Sequence, residues 1–163
     1  LIGINHLDEY LDNYGEQKTS KCIQQIAKIL SDATPRGGEF ITRFSKDKFA
    51  LIAPNVQLSD MTAFTNKMDV LVQQANIEHL YSPIEDSENM SICAGIAEFT
   101  PGKIIDVDEL VMEAGDALRA AKLACGNNVH VKAANITPED ADESLLDIDD
   151  IAPAELDELA TIS

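Results

Sequence analysis

The stretch RFSKDKFALIAP, from Arg43 to Pro54, places one carboxylate, Asp47, between two ammonium groups, Lys46 and Lys48. Apolar runs flank the polar tip Ser45-Lys46-Asp47-Lys48, so the segment reads as strand, tight turn and strand. A hard cation needs several oxygen anions, and one aspartate between two lysines makes a poor site. Taken alone, the tip is a solvated surface turn. The cysteines offer no better start. Cys22, Cys93 and Cys125 match no zinc or redox spacing, and their number is odd. They read as small buried or half-buried thiols in a reducing compartment.

The elements that must position these groups come from a chain of 163 residues, long enough for one domain with its own core. Hydrophobic residues make up 45% and charged residues 25%, which is ordinary globular usage. The net charge of −17 is unevenly spread. Ten acids lie between Glu139 and the end with no Lys or Arg among them, so the body carries only −7. Phosphate affinity needs clustered cations, so neither nucleic acid nor an anionic membrane surface is an expected partner. No apolar run is long enough to span a bilayer, and no signal peptide is expected. The chain opens on a strand-like LIGIN, from which the expectation is a piece of a larger protein.

Leu1 to Asn5 is expected to form a strand, followed by a polar stretch, HLDEYLDNYG. Cys22, Ile23, Ile26, Ala27, Ile29 and Leu30 then recur at helical spacing, predicting a helix over 16–31. Pro35 and Gly37-Gly38 punctuate the chain before two strands, 39–44 and 48–53. A helix follows over 59–74, with Met61, Phe64, Met68, Leu71 and Val72 as its stripe. Residues 78–89 read as a polar loop or insertion. A strand over 90–99, a helix over 106–124 and a short strand over 128–131 complete the body. This order predicts an α+β, ferredoxin-like fold, a mostly antiparallel five-stranded central sheet with helices packed on it. Beyond Thr137 the tail holds two amphipathic patches, Leu145, Leu146 and Ile148, then Leu156, Leu159 and Ile162, with Pro153 where a helix could begin. The expectation is an acidic linker with nascent helix rather than a second domain.

Four segments in order resemble the GGDEF domain family. AGDALRAAKLACGNNVHV is similar to that family's closing AD-x-AL-Y-x-AK-x-x-GRN-x-V pattern. SICAGIAEF resembles its S-x-G-x-A strand. LIGINHLDEYLDNYG matches the spacing of its opening D-x-D-x-F-K-x-x-N-D-x-x-G, and RFSKDKFALIAP falls on R-x-GGDEF-x-x-x-x-P. The resemblance covers residues 1–132, leaving 133–163 as tail, and implies the GGDEF-type fold. Active members are diguanylate cyclases, which condense two GTP into cyclic di-GMP across a dimer.

Carried over position by position, the resemblance implies a degenerate site. Gly3 and Asn5 stand at the aspartates of the opening motif, Asp8 at a phosphate-facing lysine, and Leu11 and Ser20 at guanine-reading positions. Ser45 and Lys46 replace the glycines that let backbone amides approach phosphate. Asp47 keeps the carboxylate of the metal position, and Lys48 reverses the charge of an acid needed for turnover. Lys122 matches a phosphate-binding lysine, and Asn127 stands where an arginine is usual. Only Asp47, as a vestigial metal ligand, and Lys122, as a vestigial phosphate contact, retain the chemistry. Their plainer reading is an exposed turn acid and a helix-end lysine favoured by the dipole. Phosphoryl transfer depends on positioned groups and metal electrostatics, so no catalytic residue, no cyclase activity and no binding of Mg²⁺ or GTP is expected.

Ahead of the hairpin, Arg36-Gly37-Gly38-Glu39 resembles the family's R-x-x-D product-inhibition site, with Lys67 near the position of an added basic residue. Arginine stacks on guanine and forks onto phosphate, and a carboxylate accepts from the guanine edge. Cyclic di-GMP is thus a candidate ligand of Arg36, Glu39 and Lys67; the plainer reading is a solvated turn. The resemblance implies an inactive regulatory or interaction module of bacterial, cytoplasmic cyclic di-GMP signalling. Its expected partners are a protein, or other domains of a larger chain, an EAL domain among them, and a homodimer is a candidate assembly. The alternatives are a cyclic di-GMP receptor and a weak or atypical cyclase using Asp47 and Lys122.

Overall fold

The computed structural model describes residues 1–34, 37–83, 88–99, 106–124 and 130–131. Its middle strand is β1 (Ile2–Ile4), whose three residues are all buried. Helix α1 (Leu7–Ala33) follows, then β2 (Phe40–Arg43) and β3 (Lys48–Ile52), α2 (Leu58–Gln74), β4 (Ile92–Ile96), α3 (Val107–Leu123) and β5 (His130–Val131). The strands lie in the order β2-β3-β1-β4-β5. The first four are antiparallel neighbours, with Ile2 opposite both Phe49 and Ala94, and β5 joins β4 in parallel. This is the expected α+β sheet, with the hairpin at one edge and β1 at the centre.

The helices divide between the two faces. Ile23, Ile26 and Leu30 of α1 and Met68 and Val72 of α2 pack with Ile2, Ile4, Phe49 and Ile92 in the main core. Each such side chain contributes roughly 1.5–3 kcal/mol by leaving water. Helix α3 takes the opposite face, where Leu118 and Ala121 meet Cys93. It comes closest at Gly95, where an added Cβ would stand 2.1 Å from the Leu118 nitrogen and 2.2 Å from the Ala114 oxygen.

Three expectations are corrected. The polar stretch after β1 is helical, because Leu7 and Tyr10 bury one side of the first turns while Asp8 and Glu9 favour the helix N-terminus. Gly15, at φ 77° and ψ 169°, kinks α1 just before the residue at which the periodicity predicts its start. The described residues of 78–89 form more than a polar loop. His79 is 1% exposed, its N–H donates to the Glu88 oxygen at 2.7 Å, and Glu78 bridges Asn89. The predicted strand over 90–99 is ladder-paired only from Ile92 to Ile96. Cys22 and Cys93 are buried free thiols, as expected, pushed by burial up to about 11 and about 12. The expectations for Cys125, Asn127 and the tail fall outside the described residues. Among those described, no helix is long and apolar enough to cross a membrane.

Candidate functional site

The β2–β3 tip is closed without glycine because its own side chains supply the bonds. Phe44 and Ser45 both donate backbone N–H to the Lys48 oxygen. The Arg43 guanidinium donates to the backbone oxygens of Ser45 at 3.0 Å and Lys46 at 2.8 Å. Ser45 Oγ donates to Asp47 Oδ1 at 3.2 Å, and the Ile4 amide donates to the Asp47 backbone oxygen at 2.9 Å. The tip is therefore held against β1, with the Asp47 carboxylate facing the start of α1.

Lys122 reaches that carboxylate from the last turn of α3. Its Nζ lies 2.9 Å from Asp47 Oδ2, and both side chains are about two-thirds buried, 34% and 28% exposed. Burial alone pushes the Asp47 carboxyl up. The Lys122 hydrogen bond and charge, with Lys48 and Ser45, outweigh it and hold the group below its ordinary range. Lys48 adds a contact at 3.6 Å. The lysine stem also lies over β1, since a Cβ added to Gly3 would meet Lys122 Cε at 2.9 Å and Leu118 Cδ1 at 3.2 Å. Lys46 crosses to Asp8 at 2.9 Å, joining the tip to the first turn of α1. That pair is exposed and contributes little to stability.

Between these elements lies a cleft of about 170 Å³, lined by Asn5, His6, Asp8, Glu9, Asp47 and Lys122 among others. Asn5 is 3% exposed; its Nδ2 donates to Ser91 Oγ and its Oδ1 accepts from Cys93 Sγ, both at 2.9 Å. Both of these partners are neutral, Ser91 just ahead of β4 and Cys93 within it. The donor set does not fit a divalent metal. Of its three carboxylates Asp47 is already neutralised by an ammonium, Asp8 is paired with Lys46 and Glu9 lies 3.5 Å from His6 Nδ1; Gly3 adds no side-chain donor, and no cluster of three metal-ligating side chains occurs among the described residues. The geometry is that of a self-satisfied ion-pair lock.

The structure thus brings Asp47 and Lys122 together, so neither is a freely solvated group. The pairing spans 75 residues in sequence and Lys46–Asp8 spans 38, and no local pattern signals either. Glu39 and Lys67 fall elsewhere. Glu39 Oε2 accepts the Gly37 amide at 2.9 Å, within a turn where Gly38 has φ 122°, and Lys67 is an exposed residue of α2. Arg36 lies outside the described residues. A separate cluster that sequence reasoning missed joins α1 to the arm after α2. Tyr10 stacks on Tyr14 at 4.4 Å, His79 meets Tyr10 edge-on at 5.2 Å, and Tyr14 Oη accepts the Leu80 amide at 2.9 Å.

Comparison with known proteins bears on this arrangement. The family model "Diguanylate cyclase, GGDEF domain" matches residues 1–128. The GGDEF domain of DgcB from Caulobacter crescentus, solved in complex with c-di-GMP, superposes with a TM-score of 0.68 at 21% identity, covering 80% of this chain and 74% of that one. The active GGEEF domain of a diguanylate cyclase from Vibrio cholerae gives 0.64 at 20% identity, over 80% of this chain and 78% of that one. Diguanylate cyclase SiaD from Pseudomonas aeruginosa, solved with its activator SiaC, gives 0.66 at 17% identity, over 80% of this chain and 48% of that one. No curated protein sequence matches. The likeness to these structures shows the fold, and the family model, matched over most of the chain, shows that this chain belongs to the GGDEF domain family.

Proposed function

We propose that this GGDEF domain does not make cyclic di-GMP and acts instead as a regulatory or interaction module in cyclic di-GMP signalling. The observation that carries the reading is the Asp47–Lys122 ion pair beside Gly3. An ammonium neutralises the one carboxylate retained at the motif, so a divalent cation arriving there would meet a positive charge, and Gly3 adds no side-chain ligand beside it. Lys48 in place of the motif's acid, and the Lys46 side chain across the tip, oppose the positioning that phosphoryl transfer needs. A domain stripped of turnover can still present its surface to a partner. SiaD, which shares the fold, is described in complex with a protein activator. The partner here is another protein or a neighbouring domain of a larger chain. Incubating the purified chain with GTP and Mg²⁺ and separating the nucleotides is expected to yield no cyclic di-GMP; product formation abolished by Asp47→Ala would overturn the reading.

A second reading, a cyclic di-GMP receptor at Arg36, Glu39 and Lys67, draws support from the DgcB domain solved with that nucleotide. In this chain Glu39 is folded back onto the Gly37 amide, so binding would require it to exchange that bond for the guanine edge. Calorimetry with cyclic di-GMP tests it: binding that Arg36→Ala removes would support the receptor, and heat unchanged by that substitution would exclude this site.

A further inference from the structure

Helix α3 buries one side and turns the other to solvent. Ala114, Ala117, Leu118 and Ala121 form the buried side, with Leu118 and Ala121 against Cys93 of β4. Each residue advances the helix by about 100°, so the opposite side carries Met112, Gly115, Asp116, Arg119, Ala120 and Leu123. A solvated helix face is normally polar throughout. This one has a large apolar side chain at each end, Met112 at 62% exposed and Leu123 at 79%. Between them stands one ion pair, with Arg119 Nη2 2.6 Å from Asp116 Oδ1. Beside that pair the surface is low: a Cβ added at Gly115 would have nothing within 4 Å, and Ala120 is exposed. Lys122 takes no part in this face, because it is committed to Asp47.

The face is complementary to itself. Met112 and Leu123, Gly115 and Ala120, and Asp116 and Arg119 are each placed evenly about one point, between Ala117 and Leu118. Two copies of α3 laid antiparallel about that point set Met112 opposite Leu123 of the second copy, Gly115 opposite its Ala120, and Asp116 opposite its Arg119. Two-fold symmetry makes each contact twice. Opposite charges then meet near the axis, an apolar pair closes each end, and the small residues let the helices approach to about 8 Å. A parallel pairing would instead set Asp116 against Asp116 and Arg119 against Arg119, so the charges select the antiparallel arrangement.

We propose that this chain self-associates through the solvent face of α3, as an antiparallel helix pair with two-fold symmetry. One helix pair lies at the small end of interface sizes, so the dimer is expected to form at micromolar concentrations or above. The inference does not depend on the proposed loss of turnover, which the GTP incubation reads separately. The test is sedimentation velocity on the full 163-residue chain, from low micromolar to several hundred micromolar, beside full-length Asp116→Arg, Arg119→Asp, the double variant with both, and Leu123→Ser. The native chain is expected to shift from monomer to dimer as concentration rises. Each single reversal sets like charges face to face and is expected to weaken association about tenfold or more. The double variant restores opposite charges in exchanged places and is expected to recover most of it. Leu123→Ser removes an exposed side chain and is expected to weaken association with the fold intact. A chain that stays monomeric throughout would overturn the proposal. A dimer indifferent to the single reversals and to Leu123→Ser would overturn it in favour of another interface, and a double variant no better than the singles would refute the antiparallel pairing. Circular dichroism checks folding, and if a reversal unfolds the chain, Leu123→Ser decides: weaker association supports the proposal and unchanged association refutes it.

Discussion

Asp47 and Lys122 carry the strongest argument at the scale of single residues, because their pairing explains both a loss and a gain. On the proposed reading the loss is a cation site; the gain is a partly buried bond between the hairpin and the end of α3. Asp47→Asn is expected to lower stability by about 1 kcal/mol at neutral pH, since it weakens the pair while keeping the shape. The Asp47 carboxyl sits below its unfolded value, so its contribution is full above about pH 4 and disappears as pH falls through the lowered folded value. Urea melts of both proteins should therefore converge in strong acid; curves that stay apart, or never differ, would show that the pair contributes nothing. Millimolar Mg²⁺ is expected to leave the melting temperature of the native chain unchanged, and a Mg²⁺-dependent rise absent in Asp47→Asn would reinstate the metal site. The residue types were plain in the sequence, but their pairing was not. Lys122 could be read as a helix-end cation and Asp47 as a turn acid, and only the approach of α3 to β1, permitted by Gly3, brings them together.

At the scale of elements, the contact between α3 and β4 sets how close the two can lie. Gly95→Ala would place a methyl group about 2 Å from the backbone of α3, where no side-chain rotation relieves it. The expected cost is about 3 kcal/mol or more, read by thermal melting. Gly15→Ala is a contrasting case: nothing lies within 4 Å of the added atom, and only the positive φ is strained. That cost is expected at about 1–3 kcal/mol, since φ 77° with ψ 169° is a conformation that essentially only glycine adopts. Equal losses in the two variants would mean that α3 shifts freely on the sheet. Where an element's apolar spacing was strong it was legible, as for α2, α3 and the second part of α1. The first turns of α1 were hidden because HLDEYLDNYG buries only a narrow side, chiefly Leu7 and Tyr10, beneath many polar residues. Asp69 was hidden for the opposite reason. It lies in the buried stripe of α2, where its Oδ1 accepts the Ile92 amide at 2.9 Å, a tertiary bond with no local signature.

For the whole molecule, the pH dependence of stability separates groups that no single contact would distinguish. Burial pushes Asp69 up, so its folded form holds a proton more tightly than the unfolded chain and its contribution grows on acidification. Asp47 acts in the opposite sense, and the principal effects of both belong to the carboxylate range. His79 acts at milder pH. It is nearly fully buried against Tyr10 and Tyr14, its Nε2 donates to the His6 oxygen at 3.2 Å, and its Nδ1 finds no partner among the described residues. Burial lowers its affinity for a proton, a hydrogen bond to His6 raises it, the neighbouring His6 lowers it and Glu9 raises it, and the net direction is down. The unfolded chain therefore takes up the proton first. The stability this histidine supplies is full above about pH 6.5 and declines as pH falls towards the lowered folded value. Its ring ties the arm after α2 to the turn that begins α1, and protonation would keep that bond but add a charged N–H at the buried Nδ1, which has no partner among the described residues. Unfolding midpoints at pH 7.5 and about pH 5.5 are expected to differ for the native chain and to draw together in His79→Phe, which keeps the ring and removes the titration. Parallel shifts in the two proteins would assign the slope to other groups and leave His79 a packing residue alone.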